Sequence, residues 1–148
     1  MATLKKKRAR KSEWKGISTG PLDRHASVAD IESIRSGFSW GLAHQFQKNL
    51  ELKDPELASV LGISSRTLTR LRKEAGTLDR VASDRLYRVM RVVELSEKVF
   101  ENAELGHHWL RRPQYGLGER IPLDLLDTEP GFEAVRTLLL QIEYGVIS

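Results

Sequence analysis

Residues 54–75, DPELASVLGISSRTLTRLRKEA, contain two short apolar stripes separated by a single glycine, and few folds accommodate that pattern. Asp54-Pro55 reads as an N-cap followed by the first helical residue, where a proline is tolerated because that amide has no helical partner. Leu57, Ala58 and Leu61 give the buried stripe of this helix, and Gly62 ends it. Ser64 is placed to cap a second helix, with Ile63 just outside it reaching Leu68 as a hydrophobic staple. Stepping about 100° per residue along that second helix puts Leu68, Leu71 and Ala75 on one face. Arg66, Thr69, Arg70 and Lys73 fall on the opposite face, Ser65 and Thr67 flank its start, and Arg72 lies beside the core edge. No acidic residue interrupts Ile63–Lys73. This is the signature of a helix-turn-helix, whose second helix enters the DNA major groove. Its expected DNA contacts are Ser64, Ser65, Arg66, Thr67, Thr69, Arg70 and Lys73. The plainer alternative is a helical hairpin with a solvated charged face.

The rest of the chain is helical by the same criteria. Ile31 and Ile34 suggest a first helix ended by Gly37. Ser39 is a plausible N-cap for a second, in which Leu42, Phe46 and Leu50 recur on one face. Asp79 or Ser83 caps the longest helix, predicted to run to about Asn102. Ala82, Leu86, Val89 and Val93 form one stripe on it, and Val92, Leu95 and Val99 start a second. A helix apolar on more than one side must be covered on more than one side, so it is expected to be the spine of the fold. A short helix through Trp109, expected to be buried, must stop before Pro113. Tyr115–Gly118 reads as a turn, and Ile121–Leu126 as about one helical turn. Thr128 can cap a last helix with Val135, Leu138, Leu139 and Ile142 in helical register, closed by Gly145. No alternating stretch of any length occurs. The fold class is all-α. The expected divisions are a disordered basic arm at 1–20, a helix-turn-helix domain at 21–88 and a C-terminal domain at 89–148.

Charge separates the two ends. Residues 1–15 carry a balance of +6, whereas Val89 to the end carries −4. The first suits a polyanion, either as an arm on DNA phosphates or as a solubilising tail. The second suits a protein partner better than DNA, especially with an apolar tail at Val146-Ile147. The chain has no cysteine, which excludes disulfides and thiolate metal sites. His107 and His108 are adjacent and point in different directions, unlike the i, i+4 pair of a helical zinc site. No phosphate-binding glycine loop, HExxH or Gly-x-Ser-x-Gly is present, so no catalytic residue, metal or cofactor is expected. No apolar run reaches membrane-spanning length, and no apolar stretch follows the basic N-terminus as in a secretory signal. A cytoplasmic protein, on the nucleoid when bound to its operator, is the expected setting.

Three blocks, ELASVLGISSRTLTRLRK, SDRLYRVMRVVELSEKVF and GHHWLRRPQYGLGERIPLDLLDTEPGFEAVRTLLLQIEYGVIS, resemble the Xre/MbcA/ParS-type antitoxins of bacterial RES–Xre toxin–antitoxin pairs. The resemblance covers about 37–148. Its most specific parts are Arg66-Thr67-Leu68, Trp109-Leu110 with Pro113, Leu117-Gly118 with Pro122 and Leu125-Leu126, and Gly131 with Gly145-Val146. It implies an Xre-type helix-turn-helix domain joined through a long helix to a small helical toxin-binding domain. It further implies an antitoxin that neutralises an NAD-degrading RES-domain toxin by covering its active-site entrance and represses its own operon. The toxin-facing residues it implies are Trp109, Leu110, Arg111, Arg112, Glu143, Tyr144, Gly145, Val146, Ile147 and Ser148. A homodimer is expected from helix-turn-helix symmetry. The basic extension before Gly37 lies outside the resemblance.

Two other readings stay open from sequence. One is a stand-alone helix-turn-helix regulator whose C-terminal half dimerises or binds a ligand. The other is a DNA-organising factor related to the ParS-named members.

Overall fold

The structure, a computed structural model, describes residues 28–145. The expected disordered arm, residues 1–20, and Val146, Ile147 and Ser148 lie outside that range. The described residues form seven α-helices: α1 Val28–Ser36, α2 Trp40–Asn49, α3 Asp54–Leu61, α4 Ser65–Glu74, α5 Arg80–Val99, α6 Ala103–Leu110 and α7 Glu129–Glu143. Two single 3-10 turns, Tyr115–Leu117 and Pro122–Leu125, connect α6 to α7. Among the described residues the β structure is limited to two isolated bridges, Ser39 with Thr77 and Gln114 with Arg120.

Local chemistry explains most of the helix starts. Ser39, Ser64, Asp79 and Thr128 each accept a hydrogen bond from an amide in the first turn of the helix that follows. Each thereby satisfies one of the donors a helix leaves unpaired. Gly62 adopts a left-handed conformation at φ 68° and closes α3, a geometry glycine reaches at little steric cost.

Four local expectations are corrected. Asp54 does not cap α3; Lys53 takes the cap position and its amide donates to Glu56 at 3.2 Å, freeing the Asp54 carboxylate for a tertiary contact. Ala75 leaves the apolar face of α4, because the helix ends at Glu74 and Ala75 turns left-handed at φ 46° into solvent. Ser83 does not cap α5; it is buried and its hydroxyl accepts from the Phe38 amide at 2.9 Å. Finally, α5 stops at Val99 rather than Asn102. Glu101 reverses the chain at φ 51°, and the Asn102 side chain caps α6 by accepting from the Leu105 amide at 3.0 Å.

The core is one continuous cluster from Phe38 to Leu139. Helix α5 is its spine, as both stripes require: Leu86, Val89, Met90, Val92 and Val93 are fully buried. It is covered by α1 and α3 on the N-terminal side and by α6 and α7 on the C-terminal side. Each fully buried leucine, such as Leu57, Leu61, Leu86, Leu110 and Leu139, contributes about 2 kcal/mol relative to leaving it in water. The boundary expected between 88 and 89 falls inside α5, amid this shared core.

Candidate functional site

The outward face of α4 is built by the residues that hold its inward face down. Leu68 and Leu71 are buried against the core, leaving Ser64, Ser65, Arg66, Thr69, Arg70 and Lys73 exposed. Among the described residues no ion pair engages Arg66, Arg70 or Lys73, so their donors remain available to an anionic partner. Ser64 and Thr67 shape the helix start: the Thr67 amide donates to the Ser64 hydroxyl at 3.1 Å, and that hydroxyl donates to the Thr67 side-chain oxygen at 3.0 Å. Thr67 is half-buried. The Thr69 hydroxyl donates to the Ser65 carbonyl at 2.9 Å, so its donor is used within the helix while the side chain stays exposed.

Arg72 behaves differently from its basic neighbours. Its guanidinium forks onto Asp54 at 2.6 and 2.9 Å and lies over the Trp40 ring at 5.3 Å. Gln47 donates to the same carboxylate at 2.7 Å. These donors, the Arg72 fork first, hold the Asp54 carboxyl down to about 2. One exposed network thus joins α2, α3 and α4 and fixes the angle at which the cationic face is presented. Asp54 and Arg72 are separated by one helix and a turn, and only the core-edge position of Arg72 hinted at this role.

The second candidate surface is divided by the structure. Trp109 is half-buried, its ring 5.9 Å from that of Phe100, rather than enclosed. Leu110 is fully buried and presents no surface to a partner, because the residue next to an edge position on a helix points about 100° away, here into the core. Arg111 is turned toward the helix-turn-helix unit. It donates to the Leu50 and Glu51 carbonyls at 2.7 and 2.9 Å and pairs with Glu56 at 3.1 Å. Arg112 is exposed. At the end of α7, Glu143 is half-buried and meets Lys98 at 3.5 Å, whereas Tyr144 is 72 % exposed and Gly145 is open to solvent. Of the described part of this set, Arg112, Tyr144, Gly145 and the edge of Trp109 face outward.

Helix α5 carries a partly buried acidic pair, Glu94 and Glu97. Glu97 contacts His107 at 2.6 Å, and burial together with the nearby Glu97 pushes the Glu94 carboxyl up to about 8 against a partial offset from Arg91. A carboxyl raised in the folded state binds its proton more tightly there than in the unfolded chain. The stability this gives is complete below about pH 4.5 and is lost as pH rises toward 8. Stability of the protein should therefore fall across that window. Glu94→Gln should flatten the fall and leave the variant more stable than wild type at pH 9, read from urea unfolding at pH 5, 7 and 9. Identical pH profiles for the two proteins would contradict this.

A helix-turn-helix with an available cationic face, sharing one core with a second helical unit, defines a DNA-binding protein with a further binding surface at its C-terminal end. Residues 29–91 match the antitoxin Xre-like helix-turn-helix domain, and residues 96–145 match the antitoxin Xre/MbcA/ParS C-terminal toxin-binding domain. The chain belongs to the Xre antitoxin family. It is 33 % identical to an antitoxin Xre of Yersinia enterocolitica over 91 % of this chain and 90 % of that one. An antitoxin Xre of Photorhabdus laumondii is 31 % identical over 63 % of this chain and 64 % of its own. A Sphingobium protein named Prs ADP-ribosylating antitoxin is 27 % identical over 95 % of this chain and 96 % of its own. The protein is thus an antitoxin, non-enzymatic, with one domain for DNA and one for a toxin. No described helix is long and apolar enough to cross a membrane.

Proposed function

We propose that this antitoxin neutralises a RES-domain toxin that consumes NAD, by laying its C-terminal end over the toxin's active-site entrance, and that it represses its own operon as a dimer through α4. The observation that carries the reading is the division of labour between two surfaces on one core. The cationic face of α4 is unengaged by the fold and matched to phosphates and base edges. The end of α7 offers exposed Tyr144 and Gly145 on an acidic half of the chain, which suits a protein rather than DNA. The name of the Sphingobium relative supports the chemistry assigned to the toxin, since ADP-ribosylation also draws its ADP-ribosyl group from NAD.

The test pairs two variants of the full chain, each measured for both activities. Arg70→Ala should lower operator affinity by about 1–3 kcal/mol if the guanidinium makes a bidentate guanine contact, and leave toxin neutralisation unchanged. Deleting residues 144–148, which spares the Glu143–Lys98 pair, should weaken neutralisation and spare operator binding by the free protein. Loss of both activities in either variant would sink the division of labour. Absence of a RES-domain toxin gene beside this one, or failure of the wild-type chain to bind such a toxin, would favour a stand-alone regulator.

A further inference from the structure

Tyr115 is 91 % exposed, yet the turn that carries it is held in place from three sides. The Gln114 amide donates to the Arg120 carbonyl at 3.1 Å, and the Glu119 amide returns to the Gln114 carbonyl at 2.9 Å, closing the base of the loop. The Gln114 side chain donates to the carbonyls of Trp109 and Arg112 at 2.9 and 3.2 Å, fastening the loop to the end of α6. Gly116 then rests on Leu138 of α7 so closely that an added Cβ would come within 2.8 Å of a Leu138 methyl. A large side chain on so well fixed a backbone has little backbone freedom left to lose when a partner covers it.

The apolar surface continues from there. Leu138 is half-buried under Gly116, and Ile142, one turn further on the same face of α7, is 37 % exposed. From the turn that carries Tyr115, the ridge formed by Leu138 and Ile142 leads along α7 toward Gly145, where the chain leaves the helix. A lone exposed aromatic is ordinary on a protein surface. Here it stands on a pre-organised turn whose next residue packs on Leu138 of α7, inside the stretch that matches a toxin-binding domain.

We infer that Tyr115 is an aromatic anchor for the toxin, and that the toxin covers Tyr115 and the ridge of Leu138 and Ile142 in addition to the end of the chain. This rests on the toxin-neutralising role proposed above and extends it to a second point of attachment. The toxin would present an apolar pocket rimmed by a hydrogen-bond acceptor or water for the phenol. The Tyr115 side chain leaves the fold almost untouched if removed, which separates binding from folding.

The experiment measures the affinity of the full-length chain for the purified neighbouring toxin, together with melting temperature and operator binding. Tyr115→Ser is expected to weaken toxin binding by about 30-fold, the order found for an aromatic anchor, with melting and operator binding unchanged. Tyr115→Phe should restore most of the affinity, and Ile142→Ser should weaken it by a smaller factor. Equal affinity of wild type and Tyr115→Ser overturns the inference while leaving the antitoxin reading intact. So does a change confined to the oligomeric state of the free chain, which would assign the ridge to a second copy. A wild-type chain that does not bind the toxin overturns both.

Discussion

Gly131→Ala is expected to lower the free energy of unfolding by about 3 kcal/mol and the melting temperature by roughly 10 °C, the range for forcing atoms into a filled space. Gly131 lies in the first turn of α7, where its amide donates to Thr128 at 3.1 Å. A Cβ built there runs into the Leu125 carbonyl oxygen and lies 2.8 Å from the carbonyl carbon. Both are backbone atoms, so no rotamer change relieves the clash; the Pro122–Leu125 turn and the start of α7 must separate. Phe132 and Val135, buried in the next turn of α7, would lose contacts as they do so. Gly131 was among the residues that carried the family resemblance, and this close approach is a physical reason for a glycine there. Denaturation of the variant beside wild type checks it; a loss below about 1 kcal/mol, the cost of an ordinary loop substitution, would show that the turn yields freely.

What the sequence made legible was local. Ser39, Ser64, Asp79 and Thr128 were readable as caps because a cap needs only its own residue type and the helix that follows. The two stripes on α5 declared a shared spine, and the outward set on α4 followed from helical period alone. The all-α fold and the helix-turn-helix came through for these reasons, whereas the antitoxin plan and its toxin-binding half were recognisable only by resemblance. Contacts between distant residues were not legible. Nothing in the spacing of Asp54 and Arg72 marks a bidentate pair over Trp40, and nothing ties Arg111 to carbonyls some sixty residues earlier. Left-handed turns at Ala75 and Glu101 carry no glycine to announce them, so apolar spacing alone carries α4 and α5 past their true ends. The family resemblance groups Trp109–Arg112 as one toxin-facing stretch. A helix end distributes contiguous residues around its axis, sending Leu110 inward and Arg111 toward α2.

Arg111→Ala is expected to destabilise the fold by about 2–3 kcal/mol, the range for losing charge-assisted hydrogen bonds in a partly buried site. The guanidinium closes α2 from outside: the Leu50 and Glu51 carbonyls are at the helix's unpaired C-terminal end, where a cation is also favoured by the helix dipole. Glu56, in the first turn of α3, is held by the other arm of the same fork at 3.1 and 3.4 Å. One side chain from the toxin-binding half therefore fixes the connection between two helices of the DNA-binding half. Lysine offers a point charge in place of a fork, so Arg111→Lys should recover only part of the loss. If Arg111 acts in this way, toxin binding and operator binding should fall together as temperature rises, each tracking the unfolded fraction. At a temperature where the variant remains folded, both affinities should be close to wild type. The family resemblance implies the other outcome, a residue that touches the toxin. A variant of unchanged stability with toxin affinity selectively lost would assign Arg111 to the toxin interface and leave the α2–α3 connection to the core beneath it.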